Sequence, residues 1–198
     1  MTQQSTDGRV LRSERNRLLI IDAMIELVYE GVYMPTAQQV ADKANIAIRT
    51  IFRHFSEMDQ LYAEVDERMF VRYIELFSGG KRTGTLQERI KNSINRHAKA
   101  YTEITPIALG TMSQLWRSKQ VKKSYFAHQK RLRADLEDWM PELLQVDPNH
   151  REAIYGLISF DYLYRLRVVQ GMSRKATVDL IIELVSDIFA KNNIPALP

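Results

Sequence analysis

The residues best suited to chemistry lie between Ala47 and Ser56, a stretch with two arginines and no acid. Read as a short helix, it places Ile48, Arg49, Thr50, Arg53 and His54 on an outward face. Guanidinium forks match guanine or phosphate, a hydroxyl matches phosphate, and an aliphatic group matches thymine methyls. A solvated face of an ordinary three-helix unit is the plainer alternative. Catalytic chemistry has less to work with. The chain has no cysteine, which excludes a thiol nucleophile, a Cys-ligated metal and a disulfide scaffold. None of His54, His97, His128 or His150 has a Glu three residues before it, as a helical di-metal site needs. No glycine-rich phosphate loop or nucleophile elbow occurs. No metal, no cofactor and no enzymatic activity are expected.

The elements that must position these residues are helices. Eight Gly and six Pro make 14 of 198 residues, about 7%, against roughly 12% in an average protein. Ser13 caps a first helix that runs to about Glu30, with Gly31 as its stop. Thr36 and Gln39 form a capping box for a short second helix to about Ala44. Asn45 tolerates the left-handed conformation of a sharp turn, and a third short helix covers Ala47 to Phe55. A fourth carries Leu61, Val65, Met69, Tyr73 and Leu76 on one stripe. Thr85 with Glu88 opens a fifth, Thr105-Pro106 a sixth, Ser118 a seventh that ends near Pro141, Asp147-Pro148 an eighth and Ser173 a ninth. Nine helices and no sheet are predicted, an all-α protein.

Charge is informative by location. The net charge is +4, and residues 1–55 hold seven basic side chains against six acids, so the total does not identify a nucleic-acid binder. Arg9, Arg12, Arg15 and Arg17 crowd the N-terminus. Arg9 and Arg12 fit an arm entering a minor groove or neutralising phosphates; a disordered basic tail is the alternative. Seven basic residues and no acid fill Ile104 to Ala134, which would favour an anionic ligand or serve as a solvated face. No apolar run reaches membrane-spanning length, and the polar Met1 to Gly8 segment is no signal peptide, so a soluble cytoplasmic protein without a membrane partner is expected.

Two short helices joined by a tight turn are the geometry of a helix-turn-helix. The order of residues from Ile20 to Leu61 resembles the tetracycline-repressor (TetR) family of transcription regulators. Ile20, Ala23, Leu27 and Gly31 match in the first helix, followed by Thr36, Val40, Ala41, Ala44 and Ile46. The run Thr50-Ile51-Phe52-Arg53-His54-Phe55 is similar to the family's third-helix signature, and Leu61 follows at the usual distance. The family usually has glycine where Asn45 stands, serine at Ala47, tyrosine at Phe52 and lysine at Met58. The last two departures remove typical phosphate contacts, which Arg49 and the N-terminal residues would offset.

The resemblance implies three parts: a flexible basic arm over 1–12, a DNA-binding domain over 13–57, and a helical ligand-binding and dimerisation domain over 58–198. Double-stranded DNA would be contacted by Arg12, Thr36, Ile48, Arg49, Thr50, Phe52, Arg53 and His54. A small-molecule effector would lie among Tyr101, Met112, Trp116, Phe126, Tyr155 and Phe160. The eighth and ninth helices are apolar around much of their circumference and must be covered on two sides, which suits a homodimer through Ile154, Gly156, Leu157, Ile181, Leu184, Val185 and Ile188. Gly156 inside a helix suggests close helix approach. The implied function is a ligand-responsive regulator, most often a repressor, on a near-palindromic operator. The alternative is a helical small-molecule-binding or scaffold protein whose helix-turn-helix contacts protein.

Overall fold

The computed structural model describes the backbone of residues 3–194 and the side chains of residues 8–194. Nine α-helices lie among them: α1 (Gln3–Tyr29), α2 (Ala37–Lys43), α3 (Ile48–His54), α4 (Met58–Ser78), α5 (Leu86–Gln114), α6 (Lys119–Trp139), α7 (Pro148–Leu157), α8 (Phe160–Tyr164) and α9 (Arg174–Lys191). A 3-10 turn at Pro141–Gln145 and a π-helical segment at Arg165–Val169 complete the set, with no strand among the described residues. The protein is all-α, as its scarcity of helix breakers predicts.

The nine helices are not the nine read from the sequence. Residues expected in the arm over 1–12 are helical from Gln3, so α1 starts ten residues before Ser13. That stretch contains one glycine, no proline and several good helix formers, and a serine inside such a run is carried along. Thr105-Pro106 does not open a helix. Pro106 lies within the continuous α5, where it removes one backbone donor at a cost of about 3 kcal/mol that burial of the stripe on both sides offsets. The eighth helix is divided: α7 ends at Leu157 with Ile158 as its C-cap, the Ser159 hydroxyl accepts from Tyr162 N–H to cap α8, and the chain widens into the π segment.

The turns follow the sequence closely. Gly31 (φ 90°) and Asn45 (φ 52°) are both left-handed. After each helix the two following N–H groups close on its last turn: Gly31 on Val28 and Val32 on Leu27, then Asn45 on Asp42 (3.1 Å) and Ile46 on Ala41 (3.0 Å). This satisfies the terminal carbonyls. Both halves of the Thr36–Gln39 capping box form, as do both halves of the Thr85–Glu88 box. Ala47 caps α3 without a side-chain hydrogen bond.

By their internal contacts the helices fall into two compact units. One takes the chain up to Val71 together with Thr105–Phe126, and the other takes Arg72–Ile104 together with the residues from Ala127 on. The first unit thus contains α1–α3, most of α4, the end of α5 and the start of α6. Its core is Ile20, Met24, Val40, Ala41, Ile51 and Leu61, all without exposed surface. α2 packs on both α1 and α3. α5 approaches α1 closely at Gly110, where a Cβ would lie 3.2 Å from Val28. Arg68 pairs with Asp22 at 2.9 Å and Arg17 pairs with Glu64, tying α4 to α1.

The second unit is built around Trp139, Met140, Leu143 and Phe189, all fully buried. Arg89 donates to both carboxylate oxygens of Glu142 and to the Trp139 carbonyl. Arg82 pairs with Asp135 and lies 4.7 Å over the Trp139 ring. His97 is enclosed, its Nδ1 2.8 Å from the Ser93 carbonyl, and burial holds its pKa below the usual range.

Two stability predictions follow from α2 and α4. Asn45→Ala puts a Cβ-bearing residue with no local polar compensation into a left-handed turn and should cost about 1 kcal/mol in urea unfolding, whereas Asn45→Gly should be neutral or stabilising. Burial on α4 raises the Asp66 carboxyl to about 6, opposed by a hydrogen bond from Ser124. The unfolded value is about 3.9, so ionisation penalises the folded state: nothing below about pH 4, growing to pH 6, and complete above it. Asp66→Asn should therefore stabilise by about 1–3 kcal/mol at pH 7.5 and hardly at pH 4. An equal effect at both pH values in urea unfolding would contradict the assignment.

Candidate nucleic-acid interface

The face presented by α3 is set by what the helix must bury. Ile51 and Phe55 are one turn apart and are 0% and 2% exposed, so the opposite side is left to solvent. That side carries Ile48, Arg49, Phe52 and Arg53, all exposed. Thr50 is half-buried. His54, expected on the outward face, turns its Nε2 inward, where it is buried with no hydrogen-bond partner. Burial, with Arg53 and Arg17 nearby, holds its pKa below the usual imidazole range. The lowered pKa favours the neutral imidazole of half-buried His54, which leaves the positive charge of the face to the two arginines.

The remaining basic residues of the first unit divide by what they touch. Lys43 pairs with Glu30 at 2.5 Å and Glu26 at 3.4 Å, and Arg17 pairs with Glu64 while lying 5.8 Å over the Phe55 ring. These charges are neutralised within the fold. Arg49 and Arg53 have no ion-pair partner among the described residues, and Arg9, Arg12 and Arg15 are exposed along α1. Thr36 is exposed at the N-terminus of α2, its hydroxyl holding the capping box. A helix N-terminus with an exposed hydroxyl, followed by a helix face with two free guanidinium groups, is an arrangement that can engage a phosphate backbone and an adjacent groove.

The six residues expected around an effector are divided between the two units. Tyr101 and Phe160 meet in the second unit, their ring centroids 5.9 Å apart. Tyr155, in the same unit, donates to Glu137 at 2.6 Å and lies under the Arg133 guanidinium. In the first unit Met112 is half-buried, while Trp116 and Phe126 are 78% and 59% exposed. The acid-free basic run is mostly exposed, and within it Arg133 makes a two-point pair with Glu152. Of the residues expected at a dimer seam, Ile154, Ile181 and Val185 are enclosed within the chain's own core. Leu157, Leu184 and Ile188 keep partial exposure. Gly156 is exposed with no atom within 4 Å of a built Cβ, so the close approach expected there does not occur within the chain.

A pocket that the sequence reading missed lies wholly within the first unit. Met24 and Val28 of α1, Tyr62, Val65 and Asp66 of α4 and Gln114 of α5 are among the residues that line a cavity of about 30 Å³. Burial raises the Tyr62 hydroxyl to about 12, and that hydroxyl donates to the Pro35 carbonyl at 3.4 Å. Gln114 is 1% exposed, and its side-chain Nε2 is buried with no hydrogen-bond partner. The available signal was Asp66, an acid one turn on from Tyr62 and beside Val65 on α4. Gln114, a polar residue at a helix end, carried none. No group of three or more His, Asp or Glu residues placed to hold a metal ion occurs among the described residues.

Neither the family models nor the curated proteins give a match to this sequence. Solved structures do match. A candidate transcriptional regulator from Streptomyces coelicolor A3(2) superposes with a TM-score of 0.62 at 18% identity, over 87% of this chain and 99% of that one. A candidate TetR-family transcriptional regulator from Mesorhizobium loti gives 0.60 at 14% identity, over 91% and 98%. A TetR transcriptional regulator from Rhodococcus sp. RHA1 gives 0.51 at 16% identity, over 89% and 98%. The likeness covers 87%, 91% and 89% of the chain, which has the all-α fold of these structures.

Proposed function

We propose that the protein is a TetR-family transcription regulator, a repressor that binds a near-palindromic DNA site as a homodimer and is released by a small-molecule effector. The observation that carries this reading is the outward face of α3, where Arg49 and Arg53 stand without an acidic partner beside Ile48 and Phe52. α3 is the recognition helix, and the Thr36 end of α2 takes a phosphate. Phe52 and Met58 supply apolar contact where the family commonly places a phosphate-binding tyrosine and lysine. The partnerless Arg49, with Arg9, Arg12 and Arg15 on α1, supplies the missing charge. A twofold dimer through the half-exposed Leu157, Leu184 and Ile188 would place two α3 helices about 34–36 Å apart on successive turns of the major groove. Such a regulator works in the cytoplasm, and no helix among the described residues is long and apolar enough to cross a membrane.

Release follows if the effector biases α4. This helix leaves the turn after α3 and is fastened to α1 by Asp22–Arg68 and Arg17–Glu64, so a ligand that shifts α4 changes the separation of the recognition helices. The coupling is reciprocal: an effector that weakens DNA binding must itself bind DNA-bound protein more weakly.

The test is a gel-shift on the palindrome nearest the protein's own coding gene, repeated across salt concentrations. Binding should weaken steeply with salt, by about 0.9 in log–log slope for each phosphate contact. Arg49→Ala should lose about 1–3 kcal/mol on the specific site and relax preference at one base position if it reads a guanine. Equal weakening on random duplex would make Arg49 a phosphate contact. Absence of salt-dependent binding to any duplex would contradict the proposal and favour a helix-turn-helix that contacts protein.

A further inference from the structure

The pocket of the first unit presents an unanswered donor. The Gln114 side chain is enclosed, and its Nε2 amide donates to nothing within the protein. A buried donor left unpaired is unfavourable, and such groups in folded proteins generally find an acceptor in water or ligand. Asp66 lines the same cavity. Its carboxylate accepts from Ser124, and the two oxygens of a carboxylate offer about four acceptor positions in all. The other walls are apolar or aromatic: Met24, Val28, Val65 and the ring of Tyr62.

The pair selects a functional group by its hydrogen-bonding character. A carbonyl satisfies Gln114 but sets its oxygen against the Asp66 carboxylate. An ammonium satisfies Asp66 but faces the Gln114 amide with donors only. A hydroxyl answers both, accepting from Gln114 and donating to Asp66, with one oxygen. Its size also fits, because about 30 Å³ exceeds the roughly 10–15 Å³ that one water-sized group needs.

We propose that this pocket is a binding site for the hydroxyl end of a small apolar alcohol or phenol, held between Gln114 Nε2 and the Asp66 carboxylate with its carbon skeleton against α1 and α4. Met24, unbranched and adaptable, is the wall that yields to a ring larger than the cavity. Because α1 and α4 both line the cavity, the occupant acts on the helix pair joined by Asp22–Arg68, so binding at this site opposes DNA binding. That last step rests on the reading of the chain as a DNA-binding regulator; the hydroxyl site does not.

The experiment titrates the full chain, labelled with nitrogen-15, with phenol and separately with toluene, which has the same ring without the hydroxyl. The Gln114 side-chain resonance, assigned by its loss in Gln114→Met, reports occupancy in the absence of DNA. Phenol should shift it saturably and bind at least tenfold more tightly than toluene, and in Gln114→Met, followed through the backbone amides of Val65 and Asp66, that preference should fall at least threefold. If that variant does not fold, the comparison on the native chain decides alone. Equal affinity for both compounds, or no shift up to saturating phenol, overturns the site and leaves a place for water. Saturating phenol should also weaken the specific duplex at least fivefold. A Gln114 shift with duplex affinity unchanged overturns the regulatory role. Failure of the ligand-free protein to bind any duplex overturns the preceding functional reading, while the phenol and toluene result still decides the site.

Discussion

The arrangement depends on the burial of two side chains, Ile51 within α3 and Phe55 at its C-terminal cap. A seven-residue helix is too short to be stable alone, so its orientation comes from what it buries. Once these two are enclosed, Ile48, Arg49, Phe52 and Arg53 must point outward. Burying a Phe or Ile contributes roughly 1.5–3 kcal/mol, enough to fix the rotation of so short an element. Phe55 is held further by Arg17, which lies over its ring while pairing with Glu64. One cation thus connects α1, the end of α3 and α4, and is withdrawn from any part in DNA contact. The same packing turns His54 inward.

Short-range signals in the sequence were reliable where a local backbone requirement has a local chemical solution. Both capping boxes, the left-handed turn at Asn45, the stop at Gly31 and the missing cap at Ala47 could be read because each needs only a few neighbouring residues. Pro106 misled for the complementary reason. Proline is favoured at a helix start, but it is tolerated in the interior when tertiary burial offsets the lost hydrogen bond, and burial is not local. The division at Ile158 and Ser159 was hidden in a run of apolar residues whose pattern is compatible with one helix, and only the Ser159 cap reveals the break.

The outward face of α3 was legible in the sequence, and the surroundings of residues on other elements much less so. The periodicity of a seven-residue helix correctly exposed Arg49 and Arg53, because one buried stripe determines the rest of the circumference. It could not resolve His54, which sits at the boundary of that stripe. The aromatic side chains grouped as an effector site are spread over two compact units, since composition does not say which rings share a core. Conversely, the cavity beside α1 is built from Gln114 and Asp66, polar residues whose burial depends on helices far apart in sequence. The three polar elements that distinguish this unit, the free arginines, the α1–α4 ion pairs and the Gln114–Asp66 pocket, lie on one set of interlocked helices. That shared framework is what the proposed link between effector binding and DNA release rests on.

The central claim, that α3 helices of a twofold dimer read a duplex, is most directly tested by hydroxyl-radical footprinting of the complex. A twofold dimer should give two protected tracts related by a twofold axis, centred about one helical turn, 10–10.5 base pairs, or a whole multiple of it apart. A single protected tract, or uniform protection with no fixed spacing, would contradict it.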